Sequence, residues 1–360
     1  MDNTKTKIAI VSHSLGVGGA ERFAGTLSFM LDALGYEVHN IIVNNSVDYP
    51  YCGKLYNLAQ ESKTAVGVVK KIKKGFLLSA YLKQNNIPIV IDNRTRNSFW
   101  RELSTVLIYH KRATYYMVHS YNLLNYLPAQ AFLGRFLYQK ANKIICVSKA
   151  IQSRIVEQYG LQNVATIYNP IQEIQPGNTP EGLPEKYVLF YGRLDEKVKN
   201  ISLMLEAFKV SEISKIGYQL LILGDGPDRE YLVQTIKKLH LTHSVQLIPF
   251  VKNPFAYVQN AKFTALTSRY EGFPMSVIES LSLGIPVVSV DCLSGPNEVI
   301  QNQYNGLLVQ NNDTTALGLA FRRMATEPDL LENCRANARQ SVAHLSMQNI
   351  AQQWRALLER

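Results

Sequence analysis

The sequence is poor in cysteine and has no long hydrophobic run. Its 360 residues include four widely spaced cysteines, with no Cys-x-x-Cys pair: Cys52, Cys146, Cys292 and Cys334. This spacing argues against a disulfide framework and against a zinc site, and it favours a reducing cytosol. No stretch provides the roughly 20 apolar residues that cross a bilayer as a helix, and the first apolar run is too short for a signal peptide. We therefore expect the protein to contact a membrane, if it does so, at the membrane surface and not by spanning it.

Acidic residues are scarce in the first half of the chain. Residues 1–180 contain 20 lysines and arginines against 10 aspartates and glutamates, whereas residues 181–360 contain 18 of each. The formal net charge of +10 therefore belongs to the first half. This asymmetry predicts an anionic surface or ligand there: phospholipid, nucleic acid or a diphosphate-bearing acceptor. Nucleic acid is disfavoured, because no recognised module or aromatic–basic platform is present.

Strand-like runs alternate with helical patterns in both halves. They read KIAIVS, EVHNIIV, IPIVIDN, TYYMVHS, KIICVS and VATIY, then YVLFYG, YQLLILG, SVQLIPF, AKFTALTS and IPVVSV. This alternation predicts α/β structure with two doubly wound parallel sheets. The length and the 46% hydrophobic content suit two domains. We expect a first domain at 1–170, a proline-rich linker at 171–186, a second domain at 187–340, and a C-terminal helix at 341–360 that packs back on the first domain.

A glycine loop follows the first predicted strand. Gly16-x-Gly18-Gly19 resembles a dinucleotide fingerprint only in part, since Glu21 stands where the third glycine would fall. We interpret the loop as allowing close backbone approach to a phosphate or sugar; a simple tight turn is the alternative. His13 and His119 each end a predicted strand, where ligands bind in open α/β folds, although a lone histidine is more often structural.

A cluster of lysines lies on a predicted helix between residues 68 and 83, beside apolar side chains. Two interpretations stand. The helix lies on anionic lipid, or it faces the core and leaves its lysines in solvent. The cluster comprises Lys70, Lys71, Lys73 and Lys74.

Two basic residues follow the first strand of the second half. Arg193 comes directly after YVLFYG, and Lys199 precedes the next helix. Arg193 offers a planar fork for phosphate oxygens and Lys199 a mobile point charge, a pair suited to a diphosphate whose charge grows as it leaves. Lys197 is a competitor of Lys199.

Two glutamates are spaced by seven residues in the stretch SRYEGFPMSVIESLSLGIPVVSV. Pro274 suits a first helical position and Gly284 ends the helix, so Glu271 lies in the preceding loop and Glu279 about one and a half turns inside. Free N–H groups around Met275 and Ser276 offer a phosphate site. Alternatively, Glu271 caps the helix and Glu279 lies on a solvated face.

Taken together, these motifs resemble the retaining glycosyltransferases of family four, of the bacterial cell-envelope polysaccharide type. They stand in that family's order and cover nearly the whole chain: GGAER from Gly18, GRL with Arg193, a LEAF-like helix, GDGP, EGFPMSVIE and GIPVVS. In one departure, the segment RLDEKVKN is one residue longer than the family pattern. Counting back from Ala207 and Phe208 selects Lys199, whereas counting forward from Arg193 falls on Val198.

The resemblance implies the GT-B architecture, two Rossmann-like domains facing across a cleft. It implies that Arg193 and Lys199 bind the donor diphosphate, that Glu279 binds ribose, and that Glu271 lies against the donor sugar. It also implies that His119 touches the transferred sugar. The expected catalytic residues are His119, Glu271, Arg193 and Lys199. The expected donor-binding residues are Gly18, Gly19, Arg193, Lys199, Glu271, Gly272, Phe273, Met275, Ser276 and Glu279.

The function this implies is retaining transfer of a hexose or N-acetylhexosamine from a nucleotide-diphosphate sugar, with UDP favoured, to a lipid-linked or cell-envelope glycan. No metal and no cofactor are expected, since no Asp-x-Asp pair is present and the nucleotide sugar is a co-substrate. The expected location is cytoplasmic, at the inner face of the plasma membrane. Three alternatives remain: a sugar-nucleotide epimerase, a soluble glucan synthase, or a non-catalytic sugar-nucleotide-binding partner of another transferase.

Overall fold

The structure is a computed structural model that describes residues 5–16, 18–175 and 177–359. The chain forms two compact units. Unit 1 comprises Met1–Pro170 together with Met347–Arg360, and unit 2 comprises Ile171–Ser346. Two parallel-sheet α/β units confirm the predicted fold class. Within the described residues, no helix has the length and apolar content needed to cross a bilayer.

Unit 1 is built on a seven-stranded parallel sheet in the order β3-β2-β1-β4-β5-β6-β7. The strands are β1 (Lys7–Ser12), β2 (Glu37–Ile42), β3 (Lys54–Asn57), β4 (Ile89–Asp92), β5 (Ala113–Val118), β6 (Lys143–Cys146) and β7 (Val164–Thr166). Ile8 in β1 pairs with Val38 on one side and Ile89 on the other. The direction of winding reverses between β1 and β4. Strand β3 was not predicted, because its short KLYN sequence is half exposed.

The helices of unit 1 cover both faces of this sheet. They are α1 (Gly19–Ala33), α2 (Leu58–Glu61), α3 (Gly67–Gln84), α4 (Phe99–Ile108), α5 (Ala131–Tyr138) and α6 (Lys149–Tyr159), with a 3₁₀ turn at Leu123–Asn125. Gly160 ends α6 in the left-handed conformation that glycine tolerates.

Unit 2 is built on a six-stranded parallel sheet in the order β10-β9-β8-β11-β12-β13. Its strands are β8 (Tyr187–Tyr191), β9 (Gln219–Leu223), β10 (Val245–Ile248), β11 (Phe263–Leu266), β12 (Val287–Asp291) and β13 (Gly306–Gln310). The winding reverses between β8 and β11. Buried strands and flanking helices form a core that contains Phe190, Phe208 and Phe263. Strand β13 was missed in the sequence because its outer end is polar and half exposed.

The helices of unit 2 and the final helix complete the fold. They are α7 (Glu196–Lys199), α8 (Ile201–Ser211), α9 (Arg229–Lys238), α10 (Phe255–Asn260), α11 (Met275–Ser282), α12 (Pro296–Val299), α13 (Thr314–Thr326), α14 (Pro328–Ser341) and α15 (Met347–Leu358), with 3₁₀ turns at Ile213–Ile216 and Ala343–Leu345. Helix α15 belongs to unit 1 and packs against α1. Trp354 and Ile350 on α15 are fully buried.

The proline-rich segment between the predicted domains belongs to unit 2. Its described residues, 171–175 and 177–186, contain no helix and no strand, and Ile171 forms an isolated bridge with Ser346. The Asn253 amide donates a hydrogen bond to the Gln175 carbonyl at 2.9 Å, and the Asn260 amide donates to the Thr179 hydroxyl at 3.2 Å. The unit boundary therefore falls at Pro170, and the segment after it lies against unit 2.

Candidate functional site

The residues predicted to bind a donor follow two neighbouring central strands of unit 2. Strands β8 and β11 are adjacent, and the chain winds outward from β8 in one direction and from β11 in the other. In open α/β sheets, ligands bind beyond the carboxyl ends of the strands at such a reversal. Arg193 and Lys199 follow β8, whereas Glu271 and Glu279 follow β11.

Two glycine turns fix the loop that carries Arg193. A Cβ atom at Gly224, where φ is +151°, would lie 1.9 Å from the Gly192 carbonyl oxygen. A Cβ atom at Gly226 would lie 2.3 Å from the Leu194 carbonyl oxygen. The Leu194 amide in turn donates to the Asp225 carbonyl. The loops after β8 and β9 therefore pack backbone to backbone, which only glycine permits.

Lys199 and Glu271 are in direct contact. The Lys199 Nζ donates a 2.6 Å hydrogen bond to Glu271 Oε1, and the Ser268 hydroxyl donates to the same oxygen at 2.6 Å. Both charged side chains are mostly buried, with 21% and 13% exposed. The Thr267 hydroxyl donates to the Lys199 carbonyl, which ties α7 to the end of β11. The structure thus brings together two side chains that lie 72 residues apart in sequence.

Arg193 and Lys197 extend into solvent instead. The Arg193 side chain is 71% exposed, and its Nε lies 4.0 Å from the Asp195 carboxylate. Lys197 shares α7 with Lys199 but is exposed. An exposed arginine at the carboxyl edge of the sheet is available to an anionic ligand. Burial and hydrogen bonding distinguish Lys199 from Lys197.

Glu279 is buried inside α11 beside a tyrosine that the sequence did not single out. The Tyr191 hydroxyl, at the end of β8, donates to the Ser276 carbonyl at 2.7 Å and lies 3.4 Å from Glu279 Oε2. Glu279 is 5% exposed. The alternative of a solvated-face residue is therefore wrong for Glu279.

The start of α11 is held by close packing. The sequence predicted Pro274 at the first helical position. In the structure the helix begins at Met275, and Pro274 is the residue before it. A Cβ atom at Gly295, where φ is +104°, would lie 2.4 Å from Pro274 Cδ. The Ser294 hydroxyl donates to the Gly272 carbonyl. Phe273 is buried, whereas Met275 and Ser276 are half-buried at the first turn.

Unit 1 has a second polar cluster where its own winding reverses. The Thr95 backbone amide, beyond β4, donates to His13 Nε2 at 3.2 Å, and the Thr95 hydroxyl lies 2.8 Å from the same nitrogen. Because Nε2 accepts the amide hydrogen, it carries no proton. Burial and the Arg94 guanidinium lower the pKa of His13, which keeps the imidazole neutral.

His119 lies in the same cluster, after β5. Its Nε2 lies 2.6 Å from the Asn93 side-chain oxygen, so Nε2 carries the hydrogen and donates it. The Asn93 amide donates to the Ala20 carbonyl in the first turn of α1, and the Phe23 ring packs edge-on against His119. Burial, aided by Arg96, lowers the pKa of His119 to about 3. His119 is therefore neutral near pH 7.

The glycine loop enters the same region. Gly18 precedes α1 with φ +130°, and a Cβ atom there would meet the Glu21 carboxylate. Gly19 is exposed, and a Cβ atom there would meet no atom within 4 Å. Burial raises the pKa of Glu21. The loop thus leaves open space beside Gly19, whereas Gly18 is restricted by its backbone.

Sequence reasoning missed Asn93, Thr95, Tyr191 and Ser268. Each stands at or just after the end of a parallel strand, β4, β8 or β11. The predicted strand runs overlap β4, β8 and β11, so the available signal was a polar side chain near the carboxyl end of a buried strand. Only histidines and charged residues were considered at these positions in the sequence, and so asparagine, threonine, tyrosine and serine were passed over.

Helix α3 carries the predicted lysine cluster, and its members differ in their surroundings. The Lys74 Nζ donates to the Val43 carbonyl at 2.5 Å, and Lys73 Nζ donates to the Thr64 hydroxyl at 3.2 Å. Burial lowers the pKa of Lys74. Lys71 is exposed and Lys70 half-buried. Lys74 therefore helps to hold α3 in place.

Two doubly wound units, with polar clusters where each sheet reverses, define the GT-B class of fold. Structural comparison supports this class. A crystal structure of a variant of S. aureus TarM, in complex with fondaparinux, alpha-GlcNAc-glycerol and UDP, has a TM-score of 0.80 at 15% identity. The alignment covers 99% of this chain and 100% of that one.

Sequence comparison gives the family. Residues 17–173 match the model of Glycosyltransferase Family 4, and residues 172–341 match the model of Glycosyl transferases group 1. The chain is 31% identical to an N-acetylgalactosamine-N,N'-diacetylbacillosaminyl-diphospho-undecaprenol 4-alpha-N-acetylgalactosaminyltransferase of Campylobacter jejuni, over 90% of this chain and 91% of that protein. It is 26% identical to the amylovoran biosynthesis glycosyltransferase AmsD of Erwinia amylovora, over 95% and 96%. The chain belongs to the family 4 glycosyltransferases, and that prediction is confirmed.

Proposed function

We propose that this glycosyltransferase moves a hexose or N-acetylhexosamine from a nucleotide-diphosphate sugar to a lipid-linked or cell-envelope glycan, with retention of anomeric configuration. UDP is the favoured nucleotide, because the structurally similar TarM variant holds UDP. The relatives support the proposed acceptor class, since one acts on a diphospho-undecaprenol-linked sugar and another in amylovoran biosynthesis. The observation that carries the proposal is the contact between Lys199 and Glu271 beside the start of α11.

Each donor group has a proposed partner. Arg193 and Lys199 bind the diphosphate, assisted by backbone N–H groups at Gly272, Phe273, Met275 and Ser276. Lys199 then exchanges Glu271 for a phosphate oxygen, which frees the Glu271 carboxylate to accept hydrogen bonds from the donor sugar. Glu279 accepts from the ribose hydroxyls. Gly18 and Gly19 allow the chain to approach the donor closely.

The reaction needs no side-chain nucleophile in this scheme. A donor phosphate oxygen takes the proton of the acceptor hydroxyl while the bond from the anomeric carbon to the diphosphate breaks. The acceptor oxygen bonds to the same face of that carbon, which retains the configuration. Arg193 and Lys199 stabilise the charge that develops on the departing diphosphate. No metal takes part in the scheme.

His119 is proposed to hydrogen-bond the transferred sugar as a neutral ring. Its pKa of about 3 excludes an imidazolium at neutral pH. Since Nε2 already donates to Asn93, a sugar hydroxyl either meets the other ring nitrogen or replaces Asn93. His119 therefore orients the sugar and supplies no positive charge.

We also propose that the enzyme works in the cytoplasm at the inner face of the plasma membrane. The lysines of α3 would attract anionic headgroups, at about 1 kcal/mol for each basic residue near the surface. Reversing the charge of Lys70, Lys71 and Lys73 is expected to weaken binding to anionic vesicles. Vesicle binding that is unchanged by this reversal would remove the lysine contribution.

The donor proposal is tested by calorimetry and product analysis. UDP-sugars should stabilise the protein against heat, because a ligand that binds only the folded state raises the melting temperature. Glu279→Ala should then lose donor affinity, whereas Glu206→Ala, an exposed site on α8, should keep it. Equal donor affinity in the two variants contradicts the ribose role.

The product distinguishes the alternatives. Nuclear magnetic resonance of the glycoside reports the anomeric configuration, and an inverted product contradicts the retaining scheme. A changed sugar on an intact nucleotide indicates an epimerase. Donor binding without turnover, across a panel of glycan acceptors, indicates a binding partner.

A further inference from the structure

Helix α4 buries two polar residues and exposes two large apolar ones. Its buried residues are Glu102 and Thr105, whereas Trp100 and Leu107 are 77% and 68% exposed. A surface helix of a soluble protein normally shows the reverse arrangement. Glu102 is held by the Arg101 side chain, which donates to it at 3.0 Å. On the buried side, the Arg94 guanidinium, which is paired with Asp92, lies 3.5 Å from the Thr105 hydroxyl, so buried polar groups contact this side of the helix.

The next helical segments expose apolar side chains as well. On α5, Phe132 and Phe136 are exposed at a spacing of one helical turn, while Leu137 and Tyr138 face inward. Leu124, in the 3₁₀ turn before α5, is also exposed. Helix α5 therefore has apolar residues on its outer side as well as its inner side, with Arg135 as its charged residue.

Helix α3 continues the same surface. It packs against α4, which packs against α5, and a Cβ atom at Gly75 on α3 would lie only 3.7 Å from Ile108 Cδ1 on α4. The outer side of α3 exposes Val69, Ile72 and Phe76. We define the apolar face as the exposed residues Val68, Val69, Ile72, Phe76, Trp100, Leu107, Leu124, Phe132 and Phe136. Large apolar side chains that are exposed on three helices packed in series indicate an interaction site.

The segment that carries the apolar face is strongly cationic. Between Glu61 and Glu157 the sequence has 16 lysines and arginines but only two acidic residues, Asp92 and Glu102. Both acids are buried, at 0% and 1% exposed. This stretch, all of which the structure describes, therefore presents no exposed carboxylate beside the apolar face. A surface with both apolar and predominantly cationic character is complementary to an anionic lipid bilayer.

We propose that the apolar face inserts into the headgroup and upper acyl region of an anionic bilayer. Insertion goes beyond the lysine attraction proposed above. The aromatic and aliphatic side chains of α4 and α5 enter the bilayer, whereas the lysines only attract the protein to its anionic surface. Trp100 is the central marker, since tryptophan favours the membrane interface. The inference concerns binding to lipid and does not depend on donor chemistry.

Tryptophan fluorescence provides a direct test. The chain has two tryptophans; Trp100 is exposed and Trp354 is fully buried. With vesicles of phosphatidylglycerol and phosphatidylethanolamine, the emission should shift to the blue and be quenched by lipids brominated on the acyl chain. Trp100→Phe should remove both changes, because Trp354 is shielded. Emission that stays unquenched in vesicle-bound wild-type protein overturns the proposal.

A matched pair of triple variants tests the affinity. Trp100→Ser with Phe132→Ser and Phe136→Ser should weaken vesicle binding at least about 100-fold, since each inserted aromatic side chain contributes roughly 1.5–3 kcal/mol when fully buried. The control replaces three exposed apolar residues of unit 2, Val210, Phe250 and Leu319, by serine, and should bind as the wild type does. Equal losses in both sets overturn the proposal.

Salt dependence and ultracentrifugation separate insertion from charge attraction and from self-association, respectively. Binding through the apolar face should persist at 0.5 M salt, at which the Debye length is only about 4 Å and surface attraction is screened. Donor affinity without vesicles should be the same in the apolar-face variant and the wild type. The vesicle-binding result can therefore be interpreted even if the donor proposal fails. Ultracentrifugation shows whether the wild type forms a dimer. If it does, and the triple variant is a monomer that still binds vesicles like the wild type, the apolar face is a protein interface and the proposal is overturned.

Discussion

Replacing Lys199 by alanine tests its proposed role in binding the diphosphate, and Lys197 on the same helix provides a matched control. Lys199 contacts Glu271 at 2.6 Å and is 21% exposed. Lys197 lies two residues earlier in α7 and is exposed. Lys197→Ala therefore removes the same charge from the same helix without touching Glu271. We expect Lys199→Ala to lose activity and Lys197→Ala to retain it.

The size of the effect follows from two separate contributions. Loss of a hydrogen bond to a charged group destabilises the fold by about 1.5–3 kcal/mol. For a unit of this size, each kcal/mol lowers the melting temperature by roughly 2–4 °C. Loss of one group that stabilises transition-state charge lowers kcat by about 100- to 1,000-fold. Lys197→Ala should change stability by less than about 0.5 kcal/mol, as most surface substitutions do.

The assay measures transfer and stability in the same protein preparations. Initial rates with a UDP-sugar and a glycan acceptor give kcat and KM, and scanning calorimetry gives the melting temperature. Lys199→Met combined with Glu271→Gln removes the buried charge that a single change leaves unpaired. This double variant should recover most of the melting temperature but none of the lost kcat, because the phosphate contact is still missing.

Two results would refute the reasoning. If the double variant recovers activity together with stability, Lys199 serves only the fold. If Lys197→Ala loses more activity than Lys199→Ala, the diphosphate is bound by the exposed lysine, and the contact between Lys199 and Glu271 is only structural.

Three further outcomes are expected. Gly19→Ala should keep or slightly raise the melting temperature, since its Cβ meets no atom within 4 Å and alanine favours a helix by about 1 kcal/mol; the variant should nevertheless bind UDP-sugar at least about 10-fold more weakly in calorimetry, and equal affinity contradicts donor approach there. Gly224→Ala should lower the melting temperature by more than about 5 °C, because its Cβ would lie 1.9 Å from the Gly192 oxygen; a negligible shift in scanning calorimetry contradicts the packing. For His119 the pKa falls from 6.5 to about 3 on folding, so the unfolded state binds more protons between these values and stability decreases as pH falls through this range. His119→Gln should show a shallower decrease in denaturant titrations, and equal slopes exclude His119 as the cause.

Much of the fold follows from periodicity in the sequence. Buried parallel strands are continuous apolar runs, so β1, β5, β8 and β12 were predicted from their letters alone. Strands β3 and β13 were missed because each is short and partly exposed, so neither gives a continuous apolar run. Edge position alone does not explain the misses, because the edge strands β7 and β10 were predicted.

The candidate site was predictable only in part. Spacing placed Glu271 before a helix and Glu279 inside it, but no spacing rule brings Lys199 to Glu271 across 72 residues. That contact depends on β8 and β11 being neighbours, which is a property of strand order. The burial of Glu102 and the exposure of Trp100 on α4 could not be predicted either, because an apolar stripe in sequence looks the same whether it faces the core or the solvent.

The return of the chain to unit 1 has a consequence for biosynthesis. Helix α15 packs on α1, and its Ile350 and Trp354 are fully buried, yet unit 2 separates α15 from the rest of unit 1 in the sequence. At roughly 5 to 20 residues per second, the ribosome needs roughly 10 to 35 s to produce the intervening Ile171–Ser346 segment. During that interval the nascent unit 1 lacks α15, so part of the α1 surface is uncovered. The unit that is translated first can therefore complete its fold only after unit 2 has been synthesised.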